Sequence, residues 1–345
     1  MEYNSKLEFL GDLGTDIDDL LIDKNTFCVT DENVYNAIAS DYCIKERTFI
    51  LPSGEDSKSF DSITAITKFL LSKGANRNSH LVAFGGGVVG DITGFVASTF
   101  MRGIAWSNIP TTLLAQVDSA IGGKTGVNIG GIKNIVGAFH FPTTVYFNRN
   151  FLRSLPKREV ICGGGEIIKT AALSKDILES LIFEDCTVDI KEFLSNKYEH
   201  LLIDIVYACA NFKHEVVKKD PFETKGLRKI LNYGHTVGHA FETADNHRLG
   251  HGEYVLHGMR IENQMFKSFI EPKFYKQMKK LIDAALSGAK TEFNIDKSIA
   301  AATLDKKNSA GKISIIIMTD AGKHLEQLVT KQEFEALLRN AMQSA

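Results

Sequence analysis

A chain of 345 residues, 44% hydrophobic and 24% charged, has enough apolar material for one large or two ordinary domains with a real core. Its 40 Lys and Arg against 42 Asp and Glu leave a net charge of -2, and no basic run interrupts it, which argues against a surface that wraps nucleic acid while allowing small anionic ligands. The opening MEYNSKLEFLGDL carries acids and no basic-then-apolar leader, and no apolar run is long enough to span a bilayer, so a soluble cytoplasmic protein is expected. The five cysteines, Cys28, Cys43, Cys162, Cys186 and Cys209, are scattered without a CxxC pair and are expected as buried thiols rather than a disulfide framework or a thiolate zinc site.

From Met1 to about Pro156, short β-branched runs alternate with helical patterns: TFCVT, RTFILPSG, a helix near Phe60 to Lys73, HLVAFGGG, a helix near Asp91 to Thr99, IAWSNIPTT and TTVYFN. Such alternation predicts βαβ units and a largely parallel sheet with helices on both sides. From Lys157 the pattern changes to long helical segments, among them Val160 to Ala172 and His200 to Lys219, and one hairpin is expected near Lys312 to Val329 with Asp320 and Gly322 in its turn. The expected boundary lies near Leu155-Pro156, with the cleft between the halves as the expected site.

Several stretches carry chemistry. In FGGGVVGDITGF, Gly85, Gly86 and Gly87 follow an apolar strand and open a helix, so backbone N–H groups can approach a phosphate, although the spacing is not GxGxxG. PSGEDSK offers Glu55 and Lys58, and Asp31 ends the strand TFCVT, where a carboxylate can hold a ribose hydroxyl or simply cap a helix. Between Arg102 and Phe139, Asp118, Lys124, Lys133 and Asn134 sit among Gly122, Gly123, Gly126, Gly130 and Gly131, a stretch too irregular for a simple strand or helix and suited to close approach of anionic groups. ICGGGEIIKTAAL places Glu166 and Lys169 three apart at an expected helix start, which reads either as a surface ion pair or as a carboxylate for a divalent ion.

The stretch from Glu223 to Met259 concentrates Arg228, Asn232, His235, His239, His251 and Glu253. Steps of four, three and four put Arg228, Asn232, His235 and His239 on one face of a predicted helix, with Leu227, Ile230, Leu231, Val237 and Phe241 on an apolar side. Glu166 with two of His235, His239 and His251 would make a three-ligand set of the kind catalytic zinc uses; the spacing leaves open which two.

In order along nearly the whole chain, GGGVVGD, RGI with IPTTLLAQVDSAIGGKTGVN, KN with GAF, GEIIKTA, GLRKILNYGHTVGHAFE, HGE with GM, and DKKNSAG resemble the 3-dehydroquinate synthase family of sugar-phosphate cyclases. The resemblance implies an N-terminal Rossmann-like α/β domain over residues 1–156 that binds NAD, a mainly α-helical C-terminal domain over 157–345 that binds metal and substrate, and a homodimer. It implies Glu166, His235 and His251 as ligands of Zn2+ or Co2+, with His239 at a phosphate-recognition and proton-transfer position. NAD would contact Asp31, Glu55, Lys58, Gly86, Gly87, Val88, Asp91, Thr111, Thr112, Asp118, Ser119, Lys124 and Lys133, with Phe151 and Ser154 near the domain junction. A sugar-phosphate substrate would meet Lys124, Asn134, Lys169, Lys213, Arg228, Asn232, His239 and Lys306 or Lys307, with Arg102 reaching across the dimer, and Glu223 would match a proton acceptor. Two departures stand out: DPFETKGLR is one residue longer than the common family spacing, and NIGGIKN replaces a proline-containing loop. Rival readings within the same chemistry are a 2-deoxy-scyllo-inosose or epi-valiolone synthase and, more distantly, a metal-dependent polyol dehydrogenase.

Overall fold

The computed structural model describes residues 3–10, 15–130, 132–183, 186–193, 199–286, 291–304 and 312–344. They form two compact units, Met1–Leu155 with Lys213–Phe222, and Pro156–Phe212 with Glu223–Ala345. Residues Lys213–Phe222 join the first unit through specific contacts: Lys213 pairs with Asp118, Tyr3 Oη shares a hydrogen bond with His214 Nδ1, and Phe222 packs edge-on and tilted against Phe139 and Phe141.

The first unit contains β1 (Lys6–Phe9), α1 (Thr15–Ile22), β2 (Thr26–Asp31), α2 (Glu32–Ala37), β3 (Thr48–Leu51), α3 (Phe60–Ser72), β4 (His80–Gly85), α4 (Gly87–Thr99), β5 (Ala105–Pro110), β6 (Lys124–Ile129), β7 (Ile132–Phe139) and β8 (Thr144–Phe147). Six strands form one all-parallel sheet in the order β1-β8-β5-β4-β2-β3. Alternate side chains of β2 and β4 enter different cores. Phe27, Val29, Leu81 and Ala83 pack with Ile66, Leu70, Val89 and Val96 of α3 and α4, while Cys28, Val82 and Phe84 pack with Ile17 and Leu21 of α1 and with Phe151. Coverage of both faces explains why these strands read as unbroken apolar runs. The strand order reverses between β2 and β4, so the carboxyl ends of these two strands, at Asp31 and Gly85, flank the crevice where open α/β sheets bind nucleotides.

The stretch expected to be irregular is ordered instead. Ala115–Ser119 forms a π-helical turn, and β6 and β7 pair as an antiparallel hairpin with Gly126 opposite Gly137. A Cβ on Gly137 would lie 2.0 Å from the Thr125 carbonyl oxygen, so the pairing requires glycine. That same glycine content removed the strand signal from the sequence.

The second unit holds α5 (Lys157–Leu173), α6 (Lys175–Leu181), the short strands β9 (Ile182–Phe183) and β10 (Cys186–Thr187), the larger part of α7 (Glu199–Lys219), α8 (His235–Ala244), α9 (His251–Met265), α10 (Pro272–Ala285), α11 (Ile295–Leu304), the hairpin β11 (Ile313–Asp320) and β12 (Lys323–Val329), and α12 (Lys331–Ser344). The glycines of ICGGGE lie inside α5 rather than at its start, so Glu166 is a mid-helix residue. Their purpose is close approach: a Cβ on Gly165 would fall 2.2 Å from the Gly252 carbonyl oxygen, and one on Gly252 would fall 1.7 Å from that of Cys162. Helices α5 and α9 therefore cross backbone against backbone, and the Gly252 N–H donates to Cys162 Sγ at 3.3 Å. Helices α8 and α9 meet the same way, since a Cβ on Gly258 would lie 1.9 Å from the Gly234 carbonyl oxygen. Among the described residues no helix is long and apolar enough to cross a membrane.

One expectation is corrected. Arg228, Asn232, His235 and His239 do not share a helix face, because Leu227–Asn232 is a 3-10 segment and the chain breaks at Tyr233-Gly234, where Gly234 has φ +76°. The break is stabilised by the buried Glu262 carboxylate, which accepts the Gly234 N–H at 2.8 Å and the Val237 N–H at 2.9 Å and so caps the new helix. Leu227, assigned to the apolar side, is 46% exposed.

His257 of α9 gives this unit an acid-sensitive element. It is buried edge-on against Phe293 at 5.0 Å, and burial together with Arg260 pushes its imidazole down to about 4. The unfolded chain accepts that proton at about 6.5, so stability from this group is complete above that pH and is lost as pH falls toward 4, by up to about 3 kcal/mol. Urea midpoints measured from about pH 7 down to about pH 4.5 should decline in the wild type and decline less in His257→Leu; equal slopes would remove His257 as the cause.

Candidate active site

The second unit gathers four ionisable side chains from three helices. Glu166 and Lys169 are one turn apart on α5, both buried, with Lys169 Nζ in ion contact with Glu166 Oε2. His235 and His251 are the first residues of α8 and α9. Their Nε2 atoms lie 3.5 Å and 3.3 Å from Glu166 Oε1. The other ring nitrogens are tied back, His235 Nδ1 to the Tyr233 carbonyl oxygen at 3.0 Å and His251 Nδ1 to Glu242 Oε2 at 3.2 Å. Acceptors at Nδ1 hold a proton on that nitrogen and fix the ring's rotation, so Nε2, which faces Glu166, is the nitrogen a cation would take once the ring is neutral.

His239, one turn beyond His235, has its ring centre 5.1 Å from that of His235 and 5.6 Å from that of His251. Nitrogens of all three imidazoles lie within 4.8 Å of one another. Two triads are thus geometrically available, the three imidazoles or Glu166 with His235 and His251. Glu166 with His235 and His251 is favoured physically, because the Glu166 carboxylate is buried with Lys169 at one oxygen and both imidazole Nε2 atoms facing the other, and both rings are pre-oriented toward it. A buried carboxylate in that state fits a divalent cation, and mixed oxygen and imidazole donors suit zinc or cobalt.

The electrostatics agree. Burial alone would raise the Glu166 carboxyl, but the Lys169 ammonium and His251 outweigh it and hold the group well below the usual carboxylate range. Burial would lower His251, but its bonds to Glu166 and Glu242 push it up to about 9. A cation held there would take the place of a proton on His251.

Arg228 is buried and its Nε lies 3.2 Å from Glu223 Oε1. Glu223 has φ +58° and so sits on left-handed backbone with its carboxylate at Arg228. Asn232 closes the 3-10 segment, half-buried. Glu253 caps α9 by accepting the Gly250 N–H at 2.9 Å.

The first unit assembles its own cluster at the carboxyl end of β4. Gly86 caps α4, and Cβ atoms on Gly86 and Gly87 would each meet a side chain, Thr112 and Ser119, at 3.0 Å. Ser119 Oγ and Thr111 Oγ1 are buried without partners among the described residues. A glycine cradle rimmed by orphaned hydroxyls at a helix N-terminus fits a dinucleotide phosphate. Lys58 is buried and donates to Asp91, whose carboxyl is raised by burial against the pull of that ammonium. Lys213 Nζ reaches Asp118 Oδ1 at 2.8 Å and its carbonyl oxygen at 2.7 Å. Asp31 caps α2, its Oδ1 accepting from the Val34 N–H and from Ser53 Oγ, both at 3.0 Å.

Val88 is partly buried against the α3–α4 core, Lys124 is exposed at the start of β6, and Lys133 is half-buried at the start of β7. The exposed Asn134, on left-handed backbone, donates its N–H to Asn128 Oδ1, and Asn128 in turn donates to Glu55 Oε1 at 2.8 Å. Phe151 is a core residue, 1% exposed and 5.2 Å from Phe84, and Ser154 is exposed. Arg102 is exposed on left-handed backbone, φ +68°, between Met101 and Gly103 in the same region. Lys306 and Lys307 lie outside the described residues. Sequence reasoning missed Glu242, Glu262 and Asn128, which act through other residues and have no local signature.

Residues 48–162 match the family model for the 3-dehydroquinate synthase N-terminal region, and 163–308 that for its C-terminal region. The chain belongs to the 3-dehydroquinate synthase family. A 3-dehydroquinate synthase from Alkaliphilus metalliredigens is 38% identical over 320 residues, spanning 90% of this chain and 88% of the relative. Family members therefore match across both units. Two solved structures share the fold: a 2-deoxy-scyllo-inosose synthase complexed with carbaglucose-6-phosphate, NAD+ and Co2+ (TM-score 0.80, 24% identity, 97% and 96% coverage), and a 2-epi-5-epi-valiolone synthase from Streptomyces hygroscopicus with NAD+ and Zn2+ (TM-score 0.85, 21% identity, 100% and 98% coverage).

Proposed function

We propose that this chain converts 3-deoxy-D-arabino-heptulosonate 7-phosphate to 3-dehydroquinate and inorganic phosphate, acting as a carbon-oxygen lyase with bound NAD and a divalent cation, zinc or cobalt. The observation that carries the reading is the convergence of Glu166 with two pre-oriented imidazoles beside buried Lys169, in a chain of this family. Glu166, His235 and His251 would hold the cation. When bound, the cation supplies Lewis acidity toward vicinal hydroxyls and NAD a hydride acceptor regenerated in each turnover.

The chain's own residues would bind and orient. Arg228 offers a planar fork for a carboxylate, Asn232 both a donor and an acceptor, and Lys169 an ammonium directed at the site. His239 would hold the phosphate and carry a proton at a ring nitrogen, with Glu223 as a second proton acceptor. Lys124, Asn134, Lys213 and a lysine of the 306–307 pair would complete the substrate set, and Arg102 would serve the partner subunit of a homodimer. Residues 1–156 would form the NAD-binding domain, aided by Asp31, Glu55, Lys58, Asp91, Thr112, Asp118 and Lys133, and residues 157–345 the metal- and substrate-binding domain. A cytoplasmic setting suits a biosynthetic enzyme whose described cysteines, Cys28, Cys43, Cys162 and Cys209, are buried thiols.

The test supplies the heptulosonate phosphate with catalytic NAD. Phosphate and dehydroquinate should appear together without net NADH. Steady NADH accumulation would indicate a dehydrogenase instead, and preferential turnover of a sugar phosphate lacking the carboxylate would indicate another cyclase.

A further inference from the structure

We infer that Glu242 is a positioning residue for the cation site, fixing the ring of His251 through a carboxylate that itself never touches the cation. This rests on the proposed cation site and extends it beyond the ligands.

Three observations support it. Glu242 is only 8% exposed, on the last turns of α8, an expensive place for a carboxylate unless it is bonded. Its Oε2 lies 3.2 Å from His251 Nδ1, on the side of the ring opposite the Nε2 that faces Glu166. Its Oε1 lies 3.3 Å from Nδ1 of His247, an exposed residue on left-handed backbone (φ +58°) in the α8–α9 connection. The carboxylate is therefore held at one oxygen while the other accepts from His251. The α8–α9 connection is pinned nearby, with Tyr254 Oη donating to Asp245 Oδ2 at 2.9 Å and accepting the Leu249 N–H at 3.0 Å.

The physical effect is on the ligand. An imidazole whose N–H donates to a carboxylate is locked in one tautomer and one rotation, and its opposite nitrogen becomes a better donor to a cation. His235 uses a backbone carbonyl for this purpose, which no side-chain change can remove. His251 depends on Glu242, so the two imidazoles differ in how mutation can loosen them.

The experiment compares metal-free wild type, Glu242→Gln and Glu242→Ala by competition for Co2+ against a chromophoric chelator, with the visible spectrum of bound Co2+ and the thermal midpoint of each metal-free protein. Loss of a residue of this kind weakens metal binding by about 10- to 100-fold, the change expected for Glu242→Ala. Glu242→Gln should fall between, weaker by about threefold or more, because an amide oxygen still accepts the N–H without the charge. The Co2+ absorption should change in the same order. Affinities for both variants within about twofold of wild type would overturn the inference, and if Glu242→Ala does not fold, the glutamine variant alone decides by that criterion. A wild type that takes up no Co2+ would instead refute the underlying cation site.

Discussion

His235→Ala is expected to lower turnover by about a thousandfold or more and to leave the purified protein without its cation. His239→Ala is expected to keep the cation and lose rate by roughly a hundred- to ten-thousandfold. The contrast follows from the geometry: His235 and His251 both direct Nε2 at Glu166 Oε1, within 3.5 Å, and both have Nδ1 tied to an acceptor. His239 shares the cluster, with nitrogens of all three rings within 4.8 Å, and so competes for the ligand role. Metal content by mass spectrometry, read beside turnover, separates the two. Loss of cation from His239→Ala with retention in His235→Ala would exchange their assignments.

Lys169→Met should destabilise the metal-free protein by about 3–5 kcal/mol, the usual effect of stranding one partner of a buried ion pair. Lys169 and Glu166 have side chains only 2% and 1% exposed, so solvent cannot replace the lost ammonium. A divalent cation can. Added Zn2+ or Co2+ should therefore raise the thermal midpoint of Lys169→Met by more than it raises that of the wild type, even though the variant turns over poorly. Equal midpoint shifts in the two proteins would mean that Glu166 is not the group being neutralised. The burial of this pair also means that loss of activity in Lys169 variants must be read beside stability.

The parallel sheet was legible because β2 and β4 are covered on both faces, which makes TFCVT and HLVAFG continuous apolar runs, and because Ser59 caps α3 at the expected start. The β6–β7 hairpin was hidden because Gly126 and Gly137 pair where β-branched residues would normally advertise a strand. The break at Tyr233-Gly234 was hidden because its support, Glu262, comes from a different helix. The same reason divides the candidate site. Residue types marked Glu166, His235, His239 and His251 as possible ligands, but nothing local to ICGGGE or HGEY states that α5 and α9 meet. Glu242 reads as an ordinary helix acid until His251 is found beside it.

That crossing of helices has a mechanical consequence. Because Gly165, Gly252 and Gly258 leave no side-chain cushion between main chains, the spacing of α5, α8 and α9 is gauged by peptide units rather than by compressible hydrocarbon. A cage carried on them would be correspondingly stiff: an ion of a different radius would have to be met by rotation of Glu166 or of the imidazoles, since close-packed backbone beneath them leaves little slack.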